Sequence, residues 1–126
     1  MAVNFLDATL DLGLDAAIGD LITRVDLCTG EPANYAAVAG VSVANYTGLT
    51  SGSFTKANGD VSGRKITLGA LTGNNATASG TATHLAFSDG TTLYAVLTVT
   101  SQAVTSGNPV TINAVDVLEI RDVVAA

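Results

Sequence analysis

The apolar positions of this chain follow two rhythms, one on each side of Ile22. Ahead of it, Leu6, Leu10, Leu14, Ala17, Ile18 and Leu21 recur at spacings of three and four, the period of one helical face. The same stretch also alternates: Leu6, Ala8, Leu10, Leu12 and Leu14 are separated by Asp7, Thr9, Asp11, Gly13 and Asp15. That is strand periodicity. Propensity decides for a helix over residues 3–22, because Leu and Ala favour helix while Asp and Ala are poor in strands. Asn4 is a suitable N-cap, and acids in the first turns suit the positive end of the helix dipole. Gly13 and Gly19 each weaken such a helix by about 1 kcal/mol relative to Ala. An N-terminal strand exchanged with another copy would carry the same pattern.

As a helix, the segment is apolar on a second side, where Phe5, Ala8, Leu12 and Ala16 line up. A helix apolar on two sides usually buries both. One stripe covers the domain's own sheet. The second either docks another subunit or turns into the same small core.

Beyond Ile22 come short Val/Ile/Leu/Thr/Ala runs broken by Gly, Asn, Asp and Ser. Leu21 to Cys28 reads as a strand, and Thr29-Gly30-Glu31-Pro32 as a turn, since Pro32 cannot donate to a ladder. Residues 33–60 are rich in Ala, Gly, Ser, Thr and Asn, with short strands at Val41 to Tyr46 and Gly52 to Lys56 and a turn at Asn58-Gly59. Further strands are expected at Lys65 to Leu71, Ala76 to Gly80, Thr81 to Ser88, Leu93 to Thr100, Val110 to Val115 and Val117 to Val123. Gly73-Asn74 and Asp89-Gly90 are hairpin-type breaks between them. Strands at roughly 8–12-residue spacing predict a mainly β chain. The expected architecture is a single β-sandwich or jelly-roll-like domain over residues 23–126. An N-terminal helical segment, residues 1–22, packs on it or on a partner.

Composition narrows the class. Of 126 residues 48% are hydrophobic and 13% charged, which is a folded chain rather than a disordered one. Aromatics are 5%, so the core is aliphatic. The net charge of −6 and the scattered bases Arg24, Lys56, Arg64, Lys65 and Arg121 argue against nucleic-acid binding, which wants a basic stripe. No run reaches the ~20 apolar residues that span a bilayer, and no basic leader precedes an apolar stretch, so neither a membrane partner nor a signal peptide is expected. The lone Cys28 reads as a small buried hydrophobe.

Candidate chemistry is sparse. On a helix Asp7, Asp11 and Asp15 form a column, but one helix edge offers too few converging oxygens for a hard cation. A solvated face, or one meeting a basic partner, is the simpler account. His84, in Thr81-Ala82-Thr83-His84-Leu85-Ala86-Phe87, is the only histidine and reads as a structural residue of a strand. Gly59-Asp60-Val61-Ser62-Gly63-Arg64-Lys65 lacks the spacing of a phosphate loop. It reads as a loop that leaves Arg64 free for a partner's carboxylate. No nucleophile elbow is present. No catalytic residue, metal site or cofactor is therefore expected, and the chain is read as no enzyme.

Three stretches carry a resemblance. They are Asp60-Val61-Ser62-Gly63-Arg64-Lys65-Ile66-Thr67-Leu68-Gly69-Ala70, Ala78-Ser79-Gly80-Thr81-Ala82-Thr83-His84-Leu85-Ala86-Phe87-Ser88-Asp89, and Val104-Thr105-Ser106-Gly107-Asn108. Together with the Cys28-Thr29-Gly30-Glu31-Pro32 turn, they resemble small β-rich virion structural proteins of tailed bacteriophages and prophages. The resemblance implies a phage particle protein without fixing its place; the leading expectation is a capsid decoration (cement) protein, made in the bacterial host cytoplasm and placed on the outer surface of the virion head. Its partners would be the major capsid protein and further copies of itself, as a symmetric oligomer such as a trimer. The expected contacts are Phe5, Leu6 and Leu12, with Arg64 and Lys65 as a polar rim. The alternative within virions is a head-fibre, tail or baseplate component that attaches to a host surface.

Overall fold

A computed structural model of the chain describes residues 7–120. It is mainly β, with 49% strand and 20% helix, an N-terminal helix, several antiparallel sheets and no closed barrel. In chain order the elements are α1 (Asp7–Leu14), a π-helical turn (Asp15–Gly19), β1 (Arg24–Cys28), α2 (Tyr35–Val41), β2 (Ser42–Tyr46), a 3-10 turn (Ser51–Ser53), β3 (Phe54–Asn58), β4 (Arg64–Leu68), β5 (Leu71–Asn75), β6 (Gly80–Ser88), β7 (Leu93–Val104), β8 (Pro109–Ile112) and β9 (Val115–Ile120). Among the described residues no helix is long and apolar enough to cross a membrane. The described residues divide into two compact units, each assembled from separated segments: residues 7–21, 50–69 and 114–120 form the first, and residues 22–49 and 70–113 the second.

In the first unit β3, β4 and β9 form an antiparallel sheet with β4 in the centre. Residues two apart on a strand share a face. Arg64, Ile66 and Leu68 therefore lie on one face of β4, and their partners on β3 are Asn58, Lys56 and Phe54. The helix supplies Leu10, Leu14 and Ile18, which are buried, as are Ile66, Leu68 and Phe54. Ala17 and Leu21, expected on the buried face, are exposed. The cause is the π turn, in which Asp20 N donates to Asp15 O at 2.7 Å. A π turn rotates less per residue than an α turn, so the phase falls behind: Ile18 stays on the buried face while Ala17 and Leu21 leave it.

The second unit contains a four-stranded antiparallel sheet ordered β2-β1-β6-β7 and the antiparallel pair β5-β8. β1 is central and its last four residues are buried. On one face Val25 and Leu27 stand opposite Tyr46 and Ala44 of β2 and Phe87 and Leu85 of β6. The Tyr46 hydroxyl donates to Val110 O of β8 (2.5 Å) and accepts from Asn74 N of β5 (3.3 Å), which ties the β5-β8 pair to the sheet. On the other face Cys28 and Ala86 pack with Val38 of α2, and Tyr35, Val41 and Leu93 close the cluster. The helix α2 departs from the expected irregular segment. Asn34 Oδ1 accepts from Ala37 N at 3.0 Å and caps an alanine-rich run.

Three further expectations are corrected. The strand expected over Ala76 to Gly80 is absent: residues 76–79 are irregular, with Ala76 N and Thr77 N bonded to Asn108 O and Val43 O, and Gly80 opens β6. Gly73-Asn74 is no hairpin break. It lies inside β5, where Gly73 at φ 104° accompanies an irregularity in the pairing with β8. The last strand begins earlier than expected, at Val115, and residues 121–123 lie outside the described part. Asp89-Gly90 does turn β6 into β7, with Gly90 at φ 87°.

Candidate interaction surface

In the first unit the sheet and helix bring opposite charges together. Asp11 and Asp15 point to the margin of the α1–sheet contact, while Ala8, Leu12 and Ala16 point to solvent. Arg64 Nε and Nη2 donate to the two oxygens of Asp11 (2.9 and 3.3 Å), and Nη1 donates to Asn58 Oδ1 (3.0 Å). Lys56 Nζ meets both oxygens of Asp15 at 2.8 and 3.0 Å. These hydrogen bonds hold the Arg64 and Lys56 side chains above their usual pKa ranges. The acidic column of α1 thus meets a basic partner inside its own chain.

Lys65 follows Arg64 and therefore points to the opposite face of β4. Its Nζ donates to Asp60 Oδ1 (2.8 Å) and Asp116 Oδ2 (3.1 Å). Asp116 also accepts from Thr67 Oγ1 at 2.7 Å. The Thr67 bond and then Lys65 pull the Asp116 carboxyl below its usual range, while Asp60 and then Asp116 push Lys65 above its own. Across the turn before β4, the Glu119 carboxylate accepts from Asp60 N. A side chain at Gly59 would collide with Ser62 O and the Glu119 carboxylate, so this turn needs its glycine.

The five expected contact residues therefore separate. Phe5 and Leu6 lie outside the described residues. Leu12 is 71% exposed, at the middle of the outward Ala8–Leu12–Ala16 row. Arg64 is not free for a partner's carboxylate, because strand alternation points it at α1 and Asp11 takes its guanidinium. Lys65 is held on the other face of the sheet. Arg64→Glu is for the same reason no clean probe of an interface, since it would set a carboxylate against Asp11.

In the second unit Asp26 is a fully buried carboxylate. Arg24 grips it through Nε (2.7 Å) and Nη2 (2.9 Å), and Ser42 Oγ donates at 2.7 Å. A buried charge needs this pairing and hydrogen bonding. Cys28, two residues on, is also buried. Burial, and then the Asp26 charge, push its thiol up to about 12. His84 stands opposite Cys28 and Thr98, with Nδ1 at 2.8 Å from Thr83 Oγ1. Among the described residues no three of His, Cys, Asp and Glu converge as a metal site would require.

The second unit also carries an open groove of about 270 Å³, lined by Ala33, Asn34, Tyr35, Thr91, Thr92 and Leu93. Sequence reading missed it because its two sides come from the start of α2 and the β6–β7 turn, which are distant in the chain. The turn is held by the Asp89 carboxylate, which accepts from Thr91 N (2.8 Å), Thr92 N (2.7 Å) and the Tyr94 hydroxyl (3.0 Å). The two backbone bonds lower the Asp89 pKa below its usual range, and Asp89 in turn raises that of Tyr94.

Comparison of the chain with protein-family models, with curated proteins and with solved structures gave no match.

Proposed function

We propose that this chain is a virion structural protein of a tailed phage, a capsid decoration protein that binds the outside of the head lattice by non-covalent contacts. The observation that carries the reading is the outward row Ala8–Leu12–Ala16 on α1 and the π turn after it, with Leu12 71% exposed. A helix that spends one apolar side on its own sheet and presents another to solvent suits a docking element. The resemblance of the Asp60–Ala70, Ala78–Asp89 and Val104–Asn108 stretches to small phage virion proteins supports the choice of a phage head as the assembly. The finer fold in this reading is sandwich-like, and the partners are the major capsid protein and further copies of the chain. The role is mechanical: area buried across joints between capsid subunits resists internal pressure, and no catalytic group is needed.

The groove of the second unit favours a second reading, in which the chain belongs to a head fibre, tail or baseplate and contacts a host surface. Copy number separates the two. Quantitative mass spectrometry of purified particles is expected to give a ratio to the major capsid protein characteristic of a coat over the whole lattice. A few copies to a few dozen per particle would replace decoration by attachment, and absence from particles would overturn both.

A further inference from the structure

We infer that the groove between the start of α2 and the β6–β7 turn is a binding site for a neutral saccharide. The inference deepens the attachment reading and rests on it for its biological use, although binding itself is a property of the isolated chain.

Three features of the groove define the ligand. Its lining, Ala33, Asn34, Tyr35, Thr91, Thr92 and Leu93, contains no charged residue. A phosphate or carboxylate ligand would find no free cation there: Arg24, whose charge couples to Tyr35, is gripped by Asp26, and the nearby Asp89 would repel it. The lining instead pairs apolar surface with amide and hydroxyl groups. Tyr35 and Leu93 are half-buried and rest on the Cys28–Val38–Ala86 cluster, which gives the groove an apolar part anchored in the core. Asn34 and Thr91 bring the polar groups. Asn34 spends its Oδ1 on Ala37 N, which fixes the carboxamide and leaves Nδ2 as a donor. Thr91 gives its backbone N–H to Asp89 and keeps its hydroxyl. A sugar ring matches this set, with C–H surface for the apolar part and hydroxyls that both donate and accept.

The third feature is rigidity. α2 is capped by Asn34, and the opposite turn is clamped by Asp89, so neither side must be ordered on binding. The groove is open and small beside drug-sized pockets of about 300–1,000 Å³, so a single site binds weakly. Even a few dozen copies on one particle would convert weak single sites into firm attachment.

The test is an amide-resolved NMR titration of the soluble protein with glucose, galactose, N-acetylglucosamine and their disaccharides, with glucuronic acid as the charged comparison. The expected result is saturable shifts confined to residues 33–35 and 91–93 for at least one neutral sugar, and none for glucuronic acid. Asn34→Asp keeps the helix cap but replaces the Nδ2 donor by a carboxylate oxygen, and Thr91→Val keeps the backbone bond but removes the hydroxyl. Each is expected to weaken the sugar at least tenfold while the remaining spectrum stays unchanged. No saturable shift with any neutral sugar, shifts centred elsewhere, preference for glucuronic acid, or full affinity in both variants would overturn the inference. Particle copy number is read independently, so failure here leaves the decoration reading standing.

Discussion

Two buried residues show how local chemistry is fixed by the neighbours a strand is given. Tyr46 lies on β2, yet its hydroxyl serves β5 and β8 together. Tyr46→Phe keeps the ring and removes both bonds, leaving Val110 O without that donor. The expected loss of stability is about 1–2 kcal/mol, read from chemical denaturation; an unchanged midpoint would mean that water replaces the hydroxyl. Cys28 is the second case. With its thiol pushed up to about 12 and no exposed surface, it is expected to resist thiol reagents at neutral pH in the native state and to react only through opening of the chain. Rapid stoichiometric labelling of the folded protein would contradict the burial.

At the scale of elements, the charges act as fasteners at the margins of apolar contacts. Asp11 ties α1 to Arg64 of β4, Asp15 ties the π turn to Lys56 of β3, and Lys65 and Thr67 of β4 hold Asp116 of β9. All these side chains are partly exposed, so each pair is a modest contribution and the apolar face does most of the holding. The Asp116 carboxyl is depressed below its ordinary 3.8. Its contribution is therefore complete above that value and is lost as the pH falls through the lower folded value. Lys65 is raised above 10.5, so its contribution is complete below that value and is lost as the pH rises through the higher folded one. NMR titration of Asp116 is expected to give a midpoint below 3.8, and Thr67→Val is expected to move it upward, because the Thr67 hydroxyl is the largest cause of the depression. A midpoint indifferent to Thr67→Val would assign the depression to Lys65.

At the scale of the whole molecule, the exposed apolar row of α1 and the π turn is a feature that the fold does not use internally. Leu12→Asp is expected to leave the melting temperature nearly unchanged, since Leu12 touches solvent, and to reduce occupancy on capsids in a particle-binding assay. Full occupancy would move the docking surface away from this helix. Four bases among the described residues, Arg24, Lys56, Arg64 and Lys65, are each held by a carboxylate of the same chain. Asp7, Asp20, Glu31, Asp60 and Asp89 are exposed, so the outward charge of the protein is acidic, in keeping with its net charge of −6.

The sequence by itself determined the class of the chain and much of its element order. Spacings of three and four placed Leu10, Leu14 and Ile18 on one buried helix face, and short aliphatic runs punctuated by Gly, Asn and Asp gave β1, β2, β4, β6 and β7 within a few residues. Those features are local: they follow from the 3.6- and 2-residue periods and from the backbone freedom of the turn residues. Tertiary structure alone decided the rest. It chose which side of α1 stays open, and it paired Asp11 with Arg64 across 53 positions of sequence. It placed Arg64 and Lys65 on opposite faces with different partners, and it set Tyr35 beside Thr91 and Leu93 to make a groove. The physical reason is the same in each case. Who meets whom across strands depends on register and on which chain segments join one sheet, and no window of neighbouring residues carries that information.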